Sequence, residues 1–331
     1  MKLFRISLLL FCVVFFSSCI AEWGPRDCYG KFTLYFEYHN EGNPNPVATF
    51  LNTVHFVDVF VFDQAGELVY YRPAIDQANM RTTRGGTRMG NPGIDLPVGS
   101  RAGELAPGGR YRVVAWGNAD RQRNSFGNPT QLNAARIGTA PDGGTPLHFG
   151  PGSLRAESTQ AFWIDIPQTT DEDYAVIEFS RAHIEIQVFV VGTGEAPTVE
   201  LDEVAEGINF NNEVIRNQRL AFESIADTPR NTPEAFPRSA RFTSFYTPLF
   251  EENTDKSLVL SNSNGVLGNG EISIADVIAG VNHINGTLNP IINLRDTNNP
   301  VQQVQIVLEV IDNIIVDIWV PGWIQEPVFP D

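Results

Sequence analysis

The chain has 331 residues, 42% of them hydrophobic, and a formal charge of −16. That apolar content supports folded cores and excludes bulk disorder, and the length suits two domains. So acidic a chain repels nucleic acid and anionic headgroups, which excludes nucleic-acid partners and a basic-patch route to a membrane.

The chain opens MKLFRISLLLFCVVFFSSC. Lys2 and Arg5 make a basic start, and Ile6 to Phe16 form an apolar run too short to span a bilayer comfortably. Ser17 and Ser18 then lead into Cys19. This is the order of a bacterial lipoprotein signal. It predicts cleavage between Ser18 and Cys19, with a diacylglycerol on the Cys19 thiol. Residues 1–18 are then a signal peptide and 19–30 a lipidated tether. The mature chain keeps 21 basic against 39 acidic residues, so attachment to a membrane has to come from acyl chains on Cys19. Each buried CH₂ of such a chain contributes about 0.8 kcal/mol. Cys12 leaves with the signal and Cys19 is taken by lipid, so Cys28 has no partner for an internal disulfide. The tether reaches at most ~35 Å, so folding begins close to the membrane.

The first strand is FTLYFEY, 32–38, with Phe32, Leu34, Phe36 and Tyr38 on one face. A loop follows over Asn40 to Pro46. Val54 to Phe62 is apolar on nearly both faces and reads as a central strand. Asp63 to Gly66 is a hairpin turn into Leu68–Tyr71. Thr82 to Gly99 reads as a long loop, and Arg81, Arg84 and Arg88 make it a candidate protease-sensitive segment. After the Pro107-Gly108-Gly109 turn comes a strand with Tyr111, Val113 and Ala115 on one side, Val114 and Trp116 on the other. Residues 119–160 show little pattern. Strands resume at 162–166 and 175–179. Arg181 to Val191 alternates cleanly and opens the second half, so the boundary falls near Ser180. Beyond it come a strand at 199–201, a looser stretch to Pro248, a strand at 258–260 and turns at 261–270. A brief helix at 274–281 and two strong strands, 304–310 and 316–320, complete the pattern. Many short strands and almost no amphipathic helix predict an all-β chain of two sandwiches, 31–179 and 180–331.

No catalytic constellation emerges. The five histidines have no zinc spacing, and no serine elbow is present, so neither enzyme activity, metal nor cofactor is expected. Ser261 to Asp276 superficially looks like a calcium loop but lacks the alternating aspartates and the closing glutamate. The tryptophans sit mostly inside strand patterns, where packing is their ordinary role, with Trp23 in the tether the exception.

Several stretches resemble the anchor and minor fimbrillins of type V pili, the lipoprotein-derived fimbriae of Bacteroidia-type bacteria. They are the FSSC signal, Asp27-Cys28 before the first strand, FTLYFEY, VDVFVFDQAGELV at 57–69 and LAPGGRYRVVAWGN at 105–118. RAHIEIQVFV at 181–190 and VDIWVPGW at 316–323 carry it toward the end. The 105–118 stretch is the most specific. Residues 119–160 and 253–300 match poorly, and only Glu22 is charged just after Cys19, where surface-destined members often carry several charges. The resemblance implies two tandem transthyretin-like, Greek-key sandwiches and a structural role. It implies partnership with other fimbrial subunits by β-strand exchange and, for an anchor, lipid attachment at the outer membrane and a limit on pilus length. The alternative is a surface lipoprotein that binds glycan through a β-sandwich module.

Overall fold

The structure is a computed structural model and describes residues 31–38, 45–82, 92–119, 126–138, 148–150, 162–168, 173–192, 197–204, 207–211, 213–215, 220–223, 241–248, 257–277 and 303–319. Strands make up nearly all of its regular structure, and the fold is all-β. The first run holds β1 (Phe32–Tyr38), helix α1 (Pro46–Thr53), β2 (Phe56–Phe62), β3 (Leu68–Asp76), β4 (Arg81–Thr82), β5 (Pro92–Leu96) and β6 (Arg110–Gly117). Then come β7 (Phe126–Gly127), β8 (Arg136–Gly138), β9 (His148–Gly150), β10 (Trp163–Asp165) and β11 (Asp173–Arg181). The rest holds β12 (His183–Gly192), β13 (Thr198–Val204), β14 (Gly207–Asn209), β15 (Val214–Ile215), β16 (Leu220–Glu223), β17 (Arg241–Pro248), β18 (Ser257–Asn262), β19 (Gly265–Ser273), β20 (Gln303–Ile311) and β21 (Ile314–Trp319).

Two large sheets carry the halves. The first is ordered β3-β2-β6-β9-β11-β1-β5-β4, with β10 also on β6, and the second β16-β13-β18-β19-β21-β20-β12-β17. A third sheet of four strands runs β15-β14-β8-β7 and draws on both halves. In each large sheet the opening strand pairs parallel with a late one, β1 with β11 and β12 with β20. Each half encloses its own core. Phe32, Leu34, Phe36, Val57, Val59, Val61, Ile94 and Ile177 belong to the first, and Ile186, Val188, Leu258, Val304, Ile306 and Leu308 to the second.

The turn into β3 forms as its residues predict. Asp63 Oδ1 accepts from the Ala65 and Glu67 amides, and Gly66 takes φ 82, which costs a glycine little. Within β2, Asp58 is fully buried. Its Oδ1 accepts the Tyr71 hydroxyl and the Ala74 amide, and it holds β3 at the irregularity where its register with β2 shifts.

Four sequence expectations need correction. Residue 46 belongs to a helix, not a loop. Asn45 caps α1 by accepting from the Ala48 amide, Pro46 opens it, and Phe50 plugs the first core against Phe36 and Phe179. The expected loop at 82–99 contains β5, whose Pro92, Ile94 and Leu96 are buried beside β1. Residues 261–270 are not a run of turns. Only 263–264 turn, and the chain goes straight back as β19, so the expected turns are one tight hairpin. The looser stretch before Pro248 holds β17, paired with β12 along eight residues.

Gly192 shows how closely the opening strand of the second half is fitted. Its φ is 130, and an added Cβ would lie 1.8 Å from the Val310 carbonyl oxygen. Gly192→Ala is therefore expected to lose roughly 3 kcal/mol or more of stability. A urea titration that gives an unchanged midpoint would contradict this packing.

Candidate functional site

The stretch singled out by sequence, 105–118, is a corner and a strand. Gly108 takes φ 73, and its amide donates to the Ile166 carbonyl at 2.9 Å. The Ile166 amide returns a bond to Gly109 at 2.9 Å. The Tyr111 ring lies so close over Gly109 that a Cβ there would sit 2.6 Å from it. The Tyr111 hydroxyl accepts the Ala106 amide at 2.8 Å, tying the strand back to its own turn. This is the logic of a tyrosine corner. At the far end Asn118 takes φ 60 in a buried position. Its Oδ1 accepts the His55 amide, its Nδ2 donates to the Thr53 carbonyl, and its own amide donates to Phe56. The Leu-x-Pro-Gly, Tyr and Gly-Asn features therefore serve the fold.

Between these ends β6 points its two faces into different cores, as its alternation predicts. Tyr111, Val113 and Ala115 enter the first core. Val114 and Trp116 enter a third, with Phe60 and Phe62 of β2 and with Ile208 and Phe210 from the other half. Phe210 is the hub of this seam. Its ring centroid lies 4.8 Å from Phe60, 6.0 Å from Trp116, 6.1 Å from Phe62 and 6.2 Å from Phe126. The backbone follows the side chains. Gly207, Ile208 and Asn209 pair with Gly138, Ile137 and Arg136, and the Phe210 amide donates to the Ala135 carbonyl. Gly207 has to be glycine, because a Cβ would lie 2.3 Å from the Ile137 carbonyl oxygen. Arg112 donates to Asn211 across the same seam, and burial lowers its guanidinium pKa. The sequence reading missed the seam, because strands of two or three residues give no alternation to read.

β1 is the second structured element of interest. It pairs in parallel with β11 over seven residues and antiparallel with β5 over four. Phe32, Leu34, Phe36 and Tyr38 are all at most 2% exposed. Burial pushes the Tyr38 phenol far above its ordinary pKa, and nearby Arg181 opposes that shift.

Of the residues predicted as sites, Ser18, Cys19, Arg84 and Arg88 lie outside the described residues, as do Trp23 and Cys28. Arg81 lies on β4 and its backbone pairs with Gly93 of β5. Trp116 is 0% exposed and unavailable to a ligand, and Arg110 lies 5.4 Å over the Trp163 ring. Among the described residues no three His, Cys, Asp or Glu side chains gather as a metal site, and no helix is long and apolar enough to cross a membrane.

Paired strands, a tyrosine corner and an aromatic seam define an all-β protein whose two halves share a core. The chain belongs to the family of fimbrillin-A associated anchor proteins Mfa1 and Mfa2, whose family model matches residues 25–326. The family reading drawn from the sequence is thereby met. The fimbrial anchor protein Mfa2 from Porphyromonas gingivalis is similar in structure, with TM-score 0.56 and 15% identity over 89% of this chain and 98% of that one. A candidate polysaccharide binding protein from Bacteroides thetaiotaomicron gives 0.63 and 16% over 90% and 99%. A candidate adhesin from the same species gives 0.61 and 14% over 89% and 97%. At these identities the likeness is one of fold. No curated protein matches the chain.

Two substitutions probe the site. Tyr111→Phe leaves the Ala106 amide without its acceptor and should lower stability by about 1 kcal/mol in urea unfolding. Phe210→Ala empties the centre of the seam and should lower it by about 3 kcal/mol. It should also split one calorimetric transition into two. A single transition at the original temperature would mean that the seam couples nothing.

Proposed function

We propose that this chain is the lipid-anchored base subunit of a type V fimbria, held in the outer membrane through acyl chains on Cys19 and limiting the length of the pilus. In this reading residues 19–30 tether two transthyretin-like sandwich domains, 31–179 and 180–331. Other fimbrial subunits join by β-strand exchange.

The observation that carries the reading is the setting of β1. This strand begins thirteen residues after Cys19 and is held between β11 and β5. Pull on the lipid enters at the N-terminal end of β1. It leaves the first sheet at the C-terminal end of β11, where the chain passes to β12. Because β1 and β11 are parallel, these two points lie at opposite ends of the pair. All seven registered positions are then loaded together in shear, whereas a ladder pulled from one end opens one position at a time. Residues 32–71 contain no lysine or arginine, so a trypsin-like protease has no site between β1 and β2. That fits a subunit whose first strand stays joined to β2, while Arg26 and Lys31 lie between Cys19 and β1. Subunits matured by an arginine-specific cut would need such a site. The candidate cleavage segment of Arg81, Arg84 and Arg88 lies downstream of β1 and β2, so a cut there leaves the anchored strand covalently continuous with β2. The glycan-binding alternative has less support, given the burial of Trp116 and the Arg110 guanidinium over Trp163.

Cys19→Ala should release the protein from the outer membrane into the soluble fraction. Flotation of the variant with outer-membrane vesicles would sink the lipoprotein reading. A strain lacking the chain should shed long fimbriae into the medium, and firmly attached fimbriae of ordinary length would argue against an anchor.

A further inference from the structure

We propose that the outer edge of β21 accepts one added β-strand from a partner chain, an extended segment that is apolar at alternate positions and carries basic side chains. The proposal deepens the reading of this chain as a subunit that joins others.

β21 has a full ladder on one side only. It pairs with β20 from Val307 to Ile311, while its link to β19 is a single bridge, Gly268 with Ile314. Past Ile314 the edge facing away from β20 has no strand beside it among the described residues. Apolar side chains concentrate there. Ile314, Val316 and Ile318 are 47%, 51% and 38% exposed, with Ile311 at 42% in β20 and Val266 at 63% in β19. Ile318 stands opposite Leu308, a member of the second core, so it lies on the core side of the sheet at a margin left uncovered. A strand added there would extend that core with its own alternate residues.

Sheet margins are usually guarded by shortness, proline, bulges or positive charge. Three other margins in this chain are. β4 has two residues and β16 four, and β3 contains Arg72 and Pro73 and shifts register with β2 twice. β21 reads Ile-Ile-Val-Asp-Ile-Trp, without lysine, arginine or proline, and its guard is one register shift with β20, at Val316 between Ile315 and Asp317. Its one polar device is Asp317, whose Oδ1 accepts the Ile318 amide at 2.8 Å. A carbonyl from an incoming strand would replace that bond and release the carboxylate to a cation. The surroundings select the same sign. The described residues 257–277 and 303–319 hold Glu271, Asp276, Glu309, Asp312 and Asp317 and not one lysine or arginine. That charge disfavours a second copy of this acidic margin and favours a basic partner.

The test uses the purified chain and a peptide of alternating valine and threonine with a lysine at each end. The peptide should bind and slow hydrogen exchange of the outward amides in 315–319 by about tenfold. Val316→Lys, at an exposed position, should weaken binding about tenfold. A peptide with proline in place of its central residue should fail on the unaltered protein, a control that does not depend on how the variant folds. Absence of binding would overturn the proposal. Protection at another sheet edge, or equal binding by a glutamate-ended peptide, would do the same. A dimer that protects 315–319 without peptide would replace it with self-association. The readout is independent of the lipid, so this edge can fail while Cys19 still anchors the protein, and the reverse.

Discussion

The pairing of β2 with β6 is the constraint on which the rest depends. Both strands are buried on both faces, which is unusual for an antiparallel pair. Val57, Val59, Val61, Val113 and Ala115 fill the first core on one side. Phe60, Phe62, Val114 and Trp116 fill the seam on the other. The pair is a wall shared by two cores. Its second face needs cover, and the cover comes from the other half of the chain. β14 and Phe210 lie across it, with the 126–138 segment between them. An exposed aromatic face of this size would be an aggregation hazard, so the second half completes the first.

This explains why the conspicuous residues of 105–118 contribute to structure alone. A strand with two buried faces has to be placed accurately in twist and register. Tyr111 fixes its entry by bonding back to Ala106, and Asn118 fixes its exit by three bonds to 53–56. A glycine-rich turn and a left-handed asparagine are what such a strand requires at its ends.

Strands with long alternation could be read directly. Phe32–Tyr38, His183–Gly192 and Gln303–Ile311 bury alternate positions that the sequence marks as apolar. β5, β7, β8 and β14 could not be read this way. Each is five residues or shorter, and β5, β8 and β14 are held by partners remote in sequence, such as Gly207 with Gly138. Helix α1 was readable in principle, since Asn45-Pro46 is a cap followed by a first-turn proline, but a Gly/Pro/Asn-rich approach masked it. The open margin at β21 was legible only in composition. Ile314, Val316 and Ile318 look like core residues in a strand pattern, and only the single bridge to β19 reveals that one side has no full ladder among the described residues.

The two halves share a device that bears on load. Each opens with a strand placed inside its sheet and parallel to a late strand, β1 beside β11 and β12 beside β20. Parallel neighbours cannot be joined by a tight turn, so each opening strand is locked by chain that comes much later in sequence. Such a strand cannot peel away with its nearest neighbours in sequence. Tension passing from the first half to the second has two routes. One is covalent, through Arg181, Ala182 and His183, all buried. The other is the seam, where β14 grips β8 and Phe210 sits among Phe60, Phe62 and Trp116. Load on the short covalent link is shared by a dry aromatic contact beside it. The halves therefore resist separation by the β14–β8 ladder and by apolar burial together.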